Sequence, residues 1–573
     1  MSARENAGSS QAVRLVAEMD RARYASVYGP TVGDSVRLAD TDLWLKVTDD
    51  ATSYGDEALV GLGKTIRDGM LASPRLAAES ELDLVITNVV VLDPILGVIK
   101  TNIGVKDGRI VGLGRAGNPD VVDNVDLLIG TTTTLIAGEG MIATPGGIDS
   151  HVHMMSPRIV PVALSAGMTT LVGMGSGPTW DIGVNPAWTV QRMEEAFFQY
   201  PINVAFLGRG SSSQPEPLER LLEAGVSGFK IHEDTGGTSE VLDTVLGIAG
   251  AHDVAVSVHF DGLGESGSLE DFLEATRRRP VHAYHVEGAG GGPPNLLEVV
   301  NAENVIPSST TPTIPYGVNA VAEHLDMIVV CHGLHSPLEG DLVAARVRIR
   351  AGTMAAEEQL HDLGAISITN SDSLGMGRIG ETIRRTWQMA NRMKGLTREH
   401  TDEGDNHRVL RYIAKYTINP ALAHGLAHEI GSLELGKLAD IVLWRPALFG
   451  VKPEMVVKGG FVAWGAMGEG NASIERAQPV SVGPFFGAEG SAPGRISKIF
   501  LSAAAGEVRR HWPGEQWSIV RGASSVAKRD MIRNDAVPSV RVDPSSLTVQ
   551  VDGREVGAEP AREVRMNRLY FLS

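Results

Sequence analysis

The sequence predicts an α/β fold, a (β/α)8 barrel joined to an additional small β-sandwich domain. Three observations carry this. β-rich runs alternate with helical stretches eight times between residues 141 and 369, the order that a barrel of parallel strands produces. Two β-type stretches with turn signals, at 83–114 and 435–468, bracket that alternation. Of the 16 histidines none lies in residues 1–150, eleven lie between His151 and His361, and none follows from Trp512 onward. They fall at the C-terminal ends of several different candidate strands, where barrel active sites assemble. A doubly wound open sheet is the alternative, and the histidine placement decides for the barrel.

The elements follow in order. Residues 1–22 read as an N-terminal arm. Residues 23–143 form the first part of a β-rich domain, in which DLVITNVVVLDPILGVIKTNIGVKDGRIVGLG alternates β-rich runs with turns such as Asp107-Gly108. Residues 144–434 form the barrel, with a flap around 320–350. The candidate strands are Met141–Ala143, Thr169–Gly173, Ile202–Leu207, Gly228–His232, Val254–Phe260, Val281–Val286, Val305–Pro307 and Ala365–Thr369. Helical stretches at 183–199, 215–225 and 268–278 lie between them. Residues 435–480 return to the β-rich domain, and 481–573 form a C-terminal appendage.

Composition narrows the function. Lys plus Arg is 51 and Asp plus Glu is 69, a net charge of −18, which repels phosphate and argues against a nucleic-acid partner. No run approaches the ~18 apolar residues of a membrane helix. The N-terminus lacks a signal-peptide core, and the single cysteine, Cys331, cannot form an intrachain disulfide. A soluble, cytoplasmic protein is expected.

The chemistry sits in the middle segment. His151 and His153 have i, i+2 spacing after a short strand, so in an extended chain both imidazoles point to one side. Lys230 and His232 repeat the spacing in GFKIHED. A lysine inside an apolar strand is costly as an ammonium, and a neutral amine can take up carbon dioxide to give a carbamate that bridges two cations. An ion pair with Glu233 or Asp234 is the plainer reading of the same lysine. His259 ends VAVSVHF and His285 lies late in VHAYHVEGAGGG. Opposite parity sends His282 towards the helices. Asp372, in ITNSDSLGMGR, follows the last strand. Neutral imidazoles and oxygen anions suit divalent nickel, zinc or iron. Two such ions ~3.5–4 Å apart generate hydroxide near neutral pH and polarise a carbonyl, which is hydrolytic chemistry on an amide-like bond.

At these residues the chain resembles the amidohydrolase superfamily and, more closely, the family of urease catalytic (alpha) subunits. The shared segments include YGPTVGDSVRLADTDL, GKTIRDGM, TPGGIDSHVHM, GFKIHED, YHVEGAGGG, EHLDMIVVCH, NSDSLGMGR and GSLELGKLADIVLW. The resemblance implies a TIM barrel of the metal-dependent amidohydrolase type that hydrolyses urea to ammonia and carbamate with two nickel ions. His259 and His285 would hold one ion, and His151, His153 and Asp372 the other, with N6-carboxylated Lys230 as the bridge. His232 would donate to the urea carbonyl oxygen. Cys331 and His332 would sit on the flap, with His332 as general acid and Asp234 and Arg348 tuning its charge. Gly290 and Gly375 would line the substrate pocket.

It also implies beta- and gamma-type partner subunits, assembly as a trimer of such units, and accessory proteins that deliver nickel. Four places depart from the family pattern: Gly333 and Pro293, where histidine is common, Gly375, where alanine is usual, and the loop after strand two. The competing readings are a metal-dependent amidohydrolase for another small amide or ureide, and a metal-free scaffold subunit.

Overall fold

The computed structural model describes residues 18–52, 54–55, 57–60, 71–174, 186–232, 236–261, 263, 267–397, 404–467, 481–506 and 516–567. Eight parallel strands form the barrel: β1 Gly147–His153, β2 Met168–Met174, β3 Asn203–Arg209, β4 Gly228–Ile231, β5 Ala255–His259, β6 Val281–Tyr284, β7 Val305–Thr310 and β8 Ile368–Asn370. They are ordered β1 through β8, and Val152 bridges Ser373 in parallel to bring the ends almost together. Nearly every residue of these strands is buried, as expected of parallel strands covered on both faces.

The covering helices are α1 Val160–Ser165, α2 Ala187–Phe197, α3 Pro215–Ala224, α4 Ser239–His252 and α5 Leu269–Thr276. Their starts are written locally. Pro215 opens α3, where a missing N–H costs nothing. Thr238 caps α4, and Ser268 with Asp271 makes a capping box for α5. Leu218, Leu221 and Leu222 give α3 its buried stripe. Between β7 and β8 lie α6 Ala320–Cys331, α7 Glu339–Val347 and α8 Ala351–Asp362, and α9 Thr382–Thr397 follows β8. No helix among the described residues is long and apolar enough to cross a membrane.

The two distant β stretches meet in one ten-stranded sheet, in which Ile142–Pro145 pairs with Leu84–Asp93 on one side and Ile441–Trp444 on the other. This corrects the expected first barrel strand. Met141–Ala143 belongs to that sheet, and the barrel begins at Gly147, so His151 and His153 lie within a strand rather than after one. The crossover at Gly146 admits no side chain, because a Cβ there would stand 2.1 Å from Thr169 Oγ1.

A buried ion pair joins sheet and barrel. Lys458 Nζ lies 2.9 Å from both Asp440 oxygens and 2.8 Å from Asn203 Oδ1 at the start of β3. Towards the C-terminus, Ile499–Leu501 pairs in parallel with β3 and with Trp517–Ile519. The three-stranded sheet of residues 540–556 docks on the segment before β7 through Asn301 and Glu298.

Candidate metal centre

The barrel strands deliver their C-terminal residues to one place. β1 contributes His151 and His153, β4 contributes Lys230 with His232 just beyond its end, and β5 ends on His259. β6 ends on Tyr284, and the next residue, His285, has φ 54°. Asp372 stands two residues after β8 with φ 56°. The left-handed turn at His285 ends the strand alternation, so parity counted back from it fails. Lys230 is in register with Ser257, and Ser257 with His282. In-register neighbours of a parallel sheet share a face. His282 therefore points into the barrel with Lys230, not towards the helices, and meets the Tyr284 ring edge-on at 4.6 Å.

The imidazoles form a continuous arc. Ring centroids lie 5.6 Å apart for His153 and His151, 5.1 Å for His151 and His285, 5.0 Å for His285 and His259, and 4.1 Å for His259 and His232. Asp372 gathers one end. Its Oδ1 is 3.2 Å from His151 Nε2 and 3.1 Å from His153 Nε2, and its Oδ2 is 3.6 Å from His285 Nε2. His151, His153 and Asp372 each offer a donor atom within 4.8 Å of the others, and all three are buried.

Electrostatics prepares the group for a cation. Burial, reinforced by the Lys230 charge and the neighbouring imidazoles, holds His151 well below the ordinary histidine value. Burial and His232 do the same to His259, and burial draws His285 down to about 3. These imidazoles are therefore neutral, the form that ligates metals. Burial alone would raise the Asp372 carboxyl. The hydrogen bond from His153 and the nearby Lys230 outweigh it and keep Asp372 below its ordinary value, and so anionic. Neutral nitrogen donors with one carboxylate fit a divalent transition metal. Lys230 Nζ lies 3.7 Å from the Tyr284 ring centroid, inside the same layer.

A cavity of about 20 Å3, room for one water-sized species, is lined by the five arc histidines, Asp372, Gly375, Met376, Cys331 and His332. The glycine-rich loop after His285 packs against one of these lining residues. The Gly290 carbonyl lies 3.2 Å from His259 Nε2 and accepts from Arg348 Nη1 at 2.7 Å. Arg350 donates to the Gly291, Gly292 and Pro293 carbonyls and so staples that loop to the start of α8. Cys331 ends α6 and donates to the Gly375 carbonyl at 2.9 Å. It packs with Ile328, Ala345 and Met376, and burial pushes its thiol up to about 12. Of the sequence-predicted site residues, Asp234 lies outside the described residues. Tyr284, Met376 and Arg350 are structural participants that sequence reasoning missed, since a tyrosine in a strand and an arginine before a helix carry no local mark of such work.

Residues 142–490 match the Amidohydrolase family, and residues 17–136 match the N-terminal domain of the Urease alpha-subunit. The chain is 51% identical over 556 residues to "Urease subunit alpha 1" of Streptomyces avermitilis, covering 96% of this chain and 99% of that protein. It is 50% identical over 558 residues to "Urease subunit alpha 2" of Streptomyces coelicolor, covering 97% and 100%. Among solved structures, a D-hydantoinase (dihydropyrimidinase) from Thermus sp. aligns with TM-score 0.47 and 17% identity over 66% of this chain and 95% of that one. Half identical to urease alpha subunits along almost its whole length, the chain belongs to the urease alpha-subunit family of amidohydrolases.

Proposed function

We propose that this chain is the catalytic subunit of a nickel urease that hydrolyses urea to ammonia and carbamate. The observation that carries the reading is the Asp372 carboxylate drawn against three buried imidazoles at the mouth of the barrel. His151, His153 and Asp372 would hold one nickel ion, and His259 and His285 the other. The Lys230 amine adds carbon dioxide, forming an N–C bond and releasing a proton, and the resulting carboxylate would bridge the two. When bound, such ions lower the pKa of water and polarise a carbonyl.

The remaining roles fall to the chain's own groups. His232, beside His259, donates a hydrogen bond to the urea carbonyl oxygen. His332, at the end of α6, gives a proton to the departing ammonia, with Asp234 and Arg348 setting its charge. Gly290 and Gly375 shape the pocket, and Cys331 belongs to the lid. A thiol pushed up to about 12 is no nucleophile at neutral pH. As an alpha subunit, the chain works with beta- and gamma-type subunits, in a trimer of such units, in the cytoplasm, and receives nickel from accessory proteins.

The test is urea-dependent ammonium release by the complex purified from nickel-supplied cells, with metal content read on the same sample and Lys230→Ala as control. Release that vanishes in the control supports the reading. Absence of release from a sample carrying about two metals per chain sinks the urea assignment.

A further inference from the structure

We propose that Tyr284 is a positioning residue of the metal centre: its ring seats both His151 and Lys230, and its hydroxyl ties that ring to the strand carrying His151. The proposal rests on the metal-centre reading above. Tyr284 is buried at the end of β6. Its ring stacks on the His151 imidazole, with centroids 3.9 Å apart and planes 15° from parallel. The Lys230 Nζ stands 3.7 Å from the ring centroid. Its hydroxyl donates to the Ser150 carbonyl at 2.6 Å, one residue before His151. The ring is itself braced by His282, edge-on at 4.6 Å, which is bonded to His424 at 3.1 Å.

One side chain therefore links three strands, β1, β4 and β6. The stacked ring fixes the plane of His151, and that plane sets the direction of the Nε2 that lies 3.2 Å from Asp372. Lys230 has a long, flexible side chain, and the flat ring limits where its Nζ can rest. Residues that orient ligands in this way are typically worth about tenfold to a hundredfold in metal affinity. A methionine would fill much of the volume but offer neither a flat face nor a donor.

The urease complex is purified from nickel-supplied cells as parent, Tyr284→Phe and Tyr284→Met. The nickel content, the rate at which excess chelator strips nickel, the unfolding midpoint, and kcat and KM are measured. Tyr284→Phe keeps the ring and loses one hydrogen bond, so nickel loss is expected to quicken by about threefold to tenfold. Tyr284→Met is expected to lose nickel about tenfold to a hundredfold faster, or to load less of it, with kcat falling in step and KM within twofold. Both variants holding nickel as long as the parent would overturn the proposal, even if their unfolding midpoints fall, since packing alone moves only the midpoint. Should the methionine variant not fold, unchanged nickel retention in Tyr284→Phe overturns it by itself. A parent chain that carries no nickel would instead sink the metal-centre reading.

Discussion

Replacing Asp372 by asparagine keeps the shape of the side chain and removes one negative charge. In the structure that charge faces His151 and His153 at 3.2 and 3.1 Å and His285 at 3.6 Å, in a site with almost no exposed surface. Two unit charges about 4 Å apart are worth roughly 4 kcal/mol at an effective dielectric near 20. The divalent charge of the ion adds to this, and the desolvation of the carboxylate takes away from it. A net of about 4 kcal/mol corresponds to on the order of a thousandfold in metal affinity. Chelator competition on the purified complex reads this directly, with far-UV circular dichroism as the control for folding. The pH dependence has a defined sign. The Asp372 carboxyl is held below its ordinary value, so its contribution is present above that value and is lost as pH falls through the lowered one. Metal retention in the parent should therefore decline in acid, and in the asparagine variant it should already be low at neutral pH. An asparagine variant that binds metal within tenfold of the parent would refute the argument that this carboxylate anchors the centre.

Three further outcomes follow from particular groups. The buried Lys528 amine is brought down to about 7 by burial, so between about 7 and 10.5 the unfolded chain holds a proton that the folded chain lacks. Stability then rises with pH through that window, and Lys528→Met should flatten the rise in unfolding midpoint; equal slopes in parent and variant would contradict it. A Cys331 thiol near 12 should react with iodoacetamide at pH 8 on the order of a thousandfold more slowly than a free cysteine, and a rate close to that of the free thiol would count against the buried geometry. A Cβ at Gly290 would stand 2.5 Å from the Phe260 carbonyl oxygen and 3.0 Å from His259 Nε2. Gly290→Ala should therefore displace His259 and cost about a hundredfold in kcat/KM while the fold persists, and wild-type kinetics would show that this close packing can yield.

What the sequence makes legible here is periodic. The pairs His151/His153 and Lys230/His232 stand out because i, i+2 spacing is a local property of an extended chain, and histidine and lysine are rare inside apolar strands. Joining two stretches more than 300 residues apart into one sheet is legible because each carries its own turn signals. The failures come where a backbone angle or a distant partner decides. Nothing in VHAYHV shows that His285 takes a left-handed φ, and with that one angle the side assigned to His282 reverses. Nothing in MIATPGGIDSHVH tells which of its two short strands joins which sheet, because the answer depends on Ile441–Trp444 and on β2. Tyr284 escapes notice for a third reason. A buried tyrosine in a strand is ordinary core, and only the three-dimensional neighbourhood shows what its ring supports.

His285 and Asp372 share more than a place in the proposed centre, for both adopt left-handed backbone angles, which cost a residue other than glycine about 1–2 kcal/mol each. The surrounding chain offsets this at Asp372. Its carbonyl accepts from the Gly375 and Gly377 amides, its carboxylate accepts from the Met376 amide at 3.2 Å, and the Ser373 carbonyl accepts from the His153 amide. A Cβ at Gly377 would stand 1.8 Å from the Ser371 carbonyl oxygen, so the turn closes around a residue that can only be glycine. All of these bonds lie within the chain, so the fold itself aims the carboxylate. Amide hydrogen exchange in residues 372–377 should accordingly change by less than about tenfold when the complex is stripped of metal. Free exchange there in the stripped complex would mean that the cation builds the turn, and would remove the basis for treating the ligand set as preorganised.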